Sequence, residues 1–387
     1  MAIKILSVDD EVDLELLLTQ YFRRKIRKGE YEFFFAHNGL EALQVLLQHP
    51  DIDIILSDIN MPEMDGLTML TKINEMRNPA LKCIMVSAYG DMDNIRHAMN
   101  NGAFDFATKP IDLDDLQVTI DKAIEQITYI RSAQKEHKQL VDIQGDLSVA
   151  REIQKAILPR NFTLKMPDEG GVEISASMNA AKDVGGDFYD FFKIDDERFA
   201  FTIADVSGKG VPAAIFMAVS RTLIKATGMQ GVPSAECMCK ANDMLSGESV
   251  DNMFVTVFYG VYNAKTGVID FTNAGHNPPY VLHNDGSVEA LPVAGNIVLG
   301  AFEGLPFTSG SITLQPGETL YMFTDGVTEA ENMNHEQFGE AYLKSSLEQL
   351  KGASPKDIID DIEQKVKTFA GEAPQSDDVT QLVIKRK

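Results

Sequence analysis

The chain is 387 residues long and carries a formal charge of −23 at neutral pH, with 44% hydrophobic and 24% charged residues. A single core rarely serves more than roughly 250 residues, so two or three domains are expected, ordered rather than intrinsically disordered. The acidic balance disfavours nucleic acid as a partner, because phosphate backbones are gripped by clustered Lys and Arg; carboxylates around bound cations and plain surface solubility both stay open as its cause.

Met1-Ala2-Ile3-Lys4 leads directly into a strand-like run, and no apolar stretch approaches about 18 residues, so neither a signal peptide nor a membrane span is expected. Residues 1–122 then alternate β-branched runs with amphipathic segments, which predicts an α/β doubly wound, five-stranded parallel sheet. Its strands are expected at Ile3–Val8, Tyr31–Ala36, Ile52–Asp58, Lys82–Ser87 and Asp105–Thr108, with helical patterns such as Val12–Arg27 and Leu40–Leu47 between them. Cys83, with Cys237 and Cys239 further on, fits neither a disulfide framework nor a four-ligand zinc site. Reduced thiols in the cytoplasm are the expectation.

From about Leu113 to Leu158 no proline interrupts a helical pattern with two heptad seams. Leu116, Ile120, Ala123, Ile127 and Ile130 form one; Leu140, Ile143, Leu147, Ala150 and Ile157 form another, shifted by a three-residue stammer near Ala133. Residues 113–158 are therefore expected to be a helical coiled-coil linker that pairs two copies of the chain, against the alternative of one helix lying on a domain surface. Gly145 and the polar seam position Gln154 weigh against the pairing.

Pro159 ends that helix. Residues 159–387 are expected to form an α+β antiparallel β-sandwich flanked by helices. Strands are expected at Val172–Met178, Phe199–Val206, Phe254–Tyr262, Val268–Asn273, Thr319–Phe323 and Val379–Lys385, and helices at Ala213–Thr227, Ser234–Leu245, Ala341–Leu350 and Pro355–Phe369.

Two groups of residues carry chemistry. In the first domain Asp9 and Asp10 follow the first strand, and Asp58, Ser87 and Lys109 end the third, fourth and fifth. In a doubly wound sheet the carboxyl ends of the strands form the ligand crevice, so these side chains should converge. Asp9, Asp10 and Asp58 can hold Mg²⁺, Asp58 can accept a phosphoryl group, Lys109 can pair with its oxygens and Ser87 can hydrogen-bond it. Singly, each has another reading: Asp10 as a helix cap, Asp58 as a turn residue, Lys109 as a solvated charge.

Val8-Asp9-Asp10-Glu11, Ser57-Asp58-Ile59-Asn60-Met61-Pro62-Glu63-Met64-Asp65-Gly66, Ser87-Ala88 and Lys109-Pro110 resemble bacterial two-component receiver domains across the whole first domain. The resemblance implies Asp58 as phosphoacceptor, the Asn60 carbonyl as a ligand of the Mg²⁺, Ser87 and Phe106 as the switch pair, a cis Lys109–Pro110 bond, and a sensor histidine kinase as phosphodonor.

In the second domain aspartates stand beside turn-forming residues in Gly185-Gly186-Asp187, Ala204-Asp205-Val206-Ser207-Gly208-Lys209-Gly210, Thr324-Asp325-Gly326 and Ser376-Asp377-Asp378. A carboxylate leaving an apolar strand is costly to bury unless paired or metal-bound, so this repetition points to a shared cation site. Two divalent ions can activate water near neutral pH and clamp phosphoryl oxygens, the needs of phosphomonoester hydrolysis. Gly208-Lys209-Gly210 is not a P-loop, since Val211 stands where Ser or Thr would be required. His276 in Ala274-Gly275-His276-Asn277-Pro278-Pro279 reads as a structural turn residue.

These segments, with Tyr321-Met322-Phe323-Thr324-Asp325-Gly326-Val327-Thr328-Glu329-Ala330, Asp377-Asp378-Val379-Thr380 and the linker end Ala150-Arg151-Glu152-Ile153-Gln154-Lys155-Ala156-Ile157-Leu158-Pro159, resemble the metal-dependent PPM phosphatases of the SpoIIE/RsbU-like branch. The resemblance implies Asp187, Asp205, the Val206 carbonyl, Asp325 and Asp377 as ligands of two Mn²⁺ or Mg²⁺ ions. It also implies a phosphoserine or phosphothreonine on a small anti-sigma-antagonist protein as substrate. No arginine stands just before Asp187 to grip phosphate; Lys182 is the candidate in its place. The rival expectation is a phosphatase-like domain that only sequesters a partner protein.

Overall fold

The computed structural model describes residues 2–88, 92–159, 171–248 and 253–387. Its contacts separate it into two compact units, Met1–Ile143 and Gln144–Lys387. In the first unit β1 (Ile3–Val8), β2 (Tyr31–Ala36), β3 (Ile54–Asp58), β4 (Lys82–Ala88) and β5 (Asp105–Lys109) form a parallel sheet in the order β2-β1-β3-β4-β5. The helices α1 (Asp13–Tyr21), α2 (Arg23–Arg27), α3 (Gly39–Gln48), α4 (Gly66–Glu75) and α5 (Met92–Asn100) connect the strands. Both faces of the sheet are covered, so β3 is buried from Ile54 to Asp58 and shows no alternation.

The single helix expected over Val12–Arg27 is two, α1 and α2. The break falls at Phe22, whose buried ring lies 5.6 Å from both Tyr31 and Phe33. The Asn38 and Asp65 side chains cap α3 and α4 by accepting from the Glu41 and Thr68 amides, which explains where those helices start.

Helix α6 (Leu113–Ile157) runs for 45 residues, as the sequence predicts. Its first seam does not meet a partner helix. Leu116, Ile120, Ala123 and Ile127 are at most 1% exposed, packed in one core with Ile5, Leu18, Phe22 and Ile84 of the same chain. A heptad pattern and an amphipathic helix lying on a sheet share that spacing, and here the sheet takes the apolar face. Arg131, further along α6, pairs with buried Asp53. In the second seam Leu140 and Ile143 are exposed, Leu147, Ala150 and Ile157 are half-buried, and Gln154 is buried.

In the second unit the chain order is β6 (Val172–Asn179), β7 (Phe188–Lys193), β8 (Arg198–Val206), α7 (Val211–Gly228), α8 (Ser234–Glu248), β9 (Val255–Asn263) and β10 (Val268–Ala274). It continues through β11 (Tyr280–Leu282), β12 (Val288–Ala290), β13 (Gly310–Thr313), β14 (Thr319–Phe323), the single turn α9 (Asp325–Thr328), α10 (Glu340–Glu348), α11 (Pro355–Ala370) and β15 (Val379–Arg386). Two antiparallel sheets result, β13-β10-β9-β8-β7 and β12-β11-β14-β15-β6. The two-residue period of β14 shows why they stack: Leu320 and Met322 join Phe201, Phe258 and Leu382 between the sheets, while Tyr321 and Phe323 turn to Leu343, Ile358 and Ile362 of α10 and α11. Helices α7 and α8 cover the other sheet.

The sequence reading lacks β7, β11, β12 and β13. Three of these have only three or four residues, too few to carry a period, and β7 is aromatic on both faces, with Asp190 buried at its centre.

Candidate functional site

The parallel register of the first unit sets the carboxyl ends of its central strands level: Val8 pairs with Ser57, Asp58 with Val86, and Ala88 with Lys109. Asp9, Asp10 and Asp58 therefore meet, with carboxylate oxygens within 4.8 Å of one another. Lys109 Nζ reaches Asp58 Oδ2 at 2.6 Å, Asp9 Oδ2 at 2.9 Å and Glu11 Oε1 at 3.2 Å. Burial pushes the Asp9 carboxyl above the usual range, and the Glu11 amide and then Lys109 only partly offset this. For Lys109 burial opposes the charge, but its bonds to Asp58 and Asp9 prevail and raise its pKa. Ser87 is fully buried and its hydroxyl has no partner among the described residues, while Phe106, on the neighbouring β5, is 38% exposed. The Asn60 amide donates to Asp58 Oδ1 at 3.2 Å. The Lys109–Pro110 bond is cis. The sequence reading did not single out Gly66 for a role, yet a side chain there would come within 2.2 Å of the Asp58 carbonyl oxygen.

In the second unit strand ends from both sheets supply the carboxylates. Asp205 lies near the end of β8, Asp325 opens α9 just after β14, Asp187 precedes β7 and Asp377 precedes β15. Asp187 is 2% exposed and its Oδ2 accepts a 2.7 Å bond from the Thr324 hydroxyl. Its carboxyl is driven well up, first by burial and then by the charge of Asp205. Asp205 itself is pushed up to about 7, by burial and then by Asp325 and Asp377. Asp325 is raised by burial, then by Glu329 and Asp377. Lys209 answers Asp377 at 2.7 Å. No three of these carboxylates come as close together as the trio of the first unit. Clustered, partly buried acids whose charge is this disfavoured form a donor set that fits divalent cations. Gly186 lies against the Val206 carbonyl, 2.9 Å from where its side chain would begin.

Several residues that the sequence reading gave no role hold this arrangement. Asp378 is buried and accepts from the amides of Gly186 (2.7 Å), Asp187 (3.4 Å) and Ala181 (2.8 Å). Thr324 also accepts the Thr380 amide at 3.0 Å, joining β14 to β15 behind Asp187. Gly326 fits under Asp378, where a Cβ would come 1.9 Å from the backbone oxygen. The Asp377-Asp378 doublet was the one visible signal, and it does not say which aspartate faces inward.

His276 is structural in its contacts. Asn273 closes the turn by bonding both its N–H and its carbonyl at 2.8 Å, and Nδ1 lies 3.0 Å from the Thr256 hydroxyl, opposite Asp205 in the β8–β9 register. Burial pushes the imidazole down to about 4, and Nε2 is buried without a hydrogen-bond partner among the described residues. Lys182 is exposed and lines a groove of about 740 Å³ that also touches Gly326 and Ser376, neighbours of Asp325 and Asp377.

Comparison with known proteins matches residues 5–121 to the response regulator receiver domain and residues 195–387 to stage II sporulation protein E (SpoIIE). Protein IcfG of Synechocystis is 32% identical over 268 residues, covering 62% of this chain and 41% of that protein. Phosphoserine phosphatase RsbU of Bacillus subtilis is 28% identical over 282 residues, 71% of this chain and 81% of its own length. Sporulation initiation phosphotransferase F of Bacillus subtilis is 33% identical over 119 residues, 31% of this chain and 91% of its own. The chain thus spans less than half of the first protein and most of the other two. Both matched regions contain one of the carboxylate clusters, though Asp187 lies just ahead of the second. The chain belongs to the response regulators that carry an N-terminal receiver domain and a C-terminal SpoIIE-type (PPM) phosphatase domain.

Proposed function

We propose that the chain is a metal-dependent protein serine/threonine phosphatase whose activity is set by phosphorylation of Asp58. The observation that carries this reading is the gathering of Asp187, Asp205, Asp325 and Asp377 at strand ends of two sheets, where burial and neighbouring carboxylates raise the carboxyls of Asp187, Asp205 and Asp325. These four and the Val206 carbonyl would hold two Mn²⁺ or Mg²⁺ ions. Such ions supply an acidified water and neutralise phosphoryl oxygens. The chain's own part is positional: Asp378 and Thr324 orient Asp187, Lys209 holds Asp377, and Lys182, which lines the adjoining groove, is the contact we propose for an anionic substrate.

In the receiver, Asp9, Asp10, Asp58 and the Asn60 carbonyl would bind Mg²⁺, and a sensor histidine kinase would supply the phosphoryl group. Once attached, that group would pair with Lys109 and draw in the unpartnered Ser87 hydroxyl, with Phe106 following. Residues 1–122 act as receiver, 113–158 as linker and 159–387 as phosphatase. The substrate proposed is a phosphorylated anti-sigma-antagonist-like protein in a partner-switching pathway, in line with the phosphoserine phosphatase among its relatives. No helix among the described residues is long and apolar enough to cross a membrane.

The test is phosphate release from a phosphoserine protein. Release that needs Mn²⁺ or Mg²⁺ and drops at least 100-fold in Asp205→Asn supports the enzyme. No metal-dependent release, with Asp205→Asn behaving as wild type, would favour the sequestering module instead. Labelling by a small phosphodonor should disappear in Asp58→Asn.

A further inference from the structure

The end of α6 does not merely abut the phosphatase carboxylates; it is hydrogen-bonded to the loop that carries one of them. Gln154 is 7% exposed and uses both ends of its amide on a single residue: Nε2 donates to the Gly185 carbonyl at 2.7 Å, and Oε1 accepts the Gly185 amide at 3.1 Å. One turn earlier Arg151 donates through Nε to the Asp183 carbonyl at 2.9 Å and pairs with the Asp183 carboxylate. On the other side of the same loop Asp378 holds the Gly186 and Asp187 amides. There is no slack between the two grips, because a Cβ at Gly185 would stand 2.2 Å from Asp378 Oδ2. The short run through Gly185 and Gly186 thus connects a helix glutamine to the Asp187 carboxylate.

Resting on the metal-site reading above, we propose that Gln154 is the positioning residue through which α6 sets Asp187, so that a small rotation or slide of the helix changes cation affinity at the phosphatase site. The two-point hold grips the peptide groups on both sides of Gly185, so it restrains the backbone through that residue, which a single hydrogen bond would not. It also accounts for a glutamine at a seam position where an apolar residue would serve a coiled coil better. Its role is orientation of a ligand carboxylate, a kind of outer contact whose loss typically weakens metal affinity 10–100-fold.

The experiment measures Mn²⁺ affinity of the full chain by electron paramagnetic resonance, with and without acetyl phosphate, alongside kcat. Gln154→Leu is expected to weaken Mn²⁺ binding about 10-fold, to regain most of its kcat at saturating Mn²⁺, and to lose the affinity shift that acetyl phosphate causes in wild type. Gln154→Glu keeps the acceptor for the Gly185 amide and should fall between the two. Wild-type affinity with a wild-type response in Gln154→Leu overturns the proposal. So does the absence of any acetyl phosphate effect in the unmodified chain. Should Gln154→Leu fail to fold, hydrogen exchange of the Gly185 and Gly186 amides in wild type decides: a severalfold change in rate on phosphorylation supports it and an unchanged rate refutes it. An Asp187→Asn control that binds Mn²⁺ like wild type would instead bring down the metal-site reading itself.

Discussion

Asp58 and Asp205 were legible as single residues because a carboxylate closing an apolar strand is costly to keep there unless a cation or a reacting group uses it. Asp378 and Thr324 were not, since their partners lie 192 and 137 positions away and their work is to hold backbone and orient Asp187. Thr324→Val keeps the shape but removes the donor to Asp187 and the acceptor for Thr380. It is expected to raise the Mn²⁺ concentration for half-maximal activity about 10-fold, measured by titrating phosphate release. His276 is expected to be structural, and its backbone is held in the turn by Asn273. Its folded pKa, about 4, lies below the usual value of 6.5, so the unfolded chain takes up the proton first as pH falls. The stability it permits is therefore complete above pH 6.5 and lost progressively towards pH 4, roughly 2 kcal/mol of it by pH 5. Melting curves at pH 7 and pH 5 should show a smaller acid loss in His276→Gln than in wild type; equal losses would mean that the imidazole is not neutral in the fold.

At the level of elements, the parallel sheet, the long helix and the principal sandwich strands followed from periodicity, and the short strands did not, because β11, β12 and β13 are defined by their neighbours rather than by their own pattern. The first seam of α6 shows how spacing can be right and its partner wrong. Leu116, Ile120, Ala123 and Ile127 recur as a coiled coil would demand, yet they complete the receiver core. Ile120→Ala should accordingly destabilise the receiver by about 2–5 kcal/mol, seen as a lower melting transition without a change in assembly state. If it dissociated a dimer and left receiver stability intact, the packing of α6 on the sheet would be contradicted. Pairing of two chains, if it involves α6, falls to Leu140 and Ile143, which are 59% and 55% exposed. Replacing both by serine should shift light scattering from dimer towards monomer, and a wild-type molecular mass would remove the linker from the assembly.

For the whole molecule, the sequence pointed to two groups of carboxylates on one chain, one at the strand ends of the first unit and one at strand ends of the second. What it withheld was the mechanical link, because Gln154 reads as a flaw in a seam until the Gly185 loop is seen beside it. The proposed catalysis rests above all on the phosphatase carboxylates gathering cations, and equilibrium dialysis against Mn²⁺ tests this directly, the receiver's own uptake cancelling between variants. Wild type should retain two more ions per chain than the Asp187→Asn/Asp205→Asn double variant; equal uptake by the two proteins would contradict it.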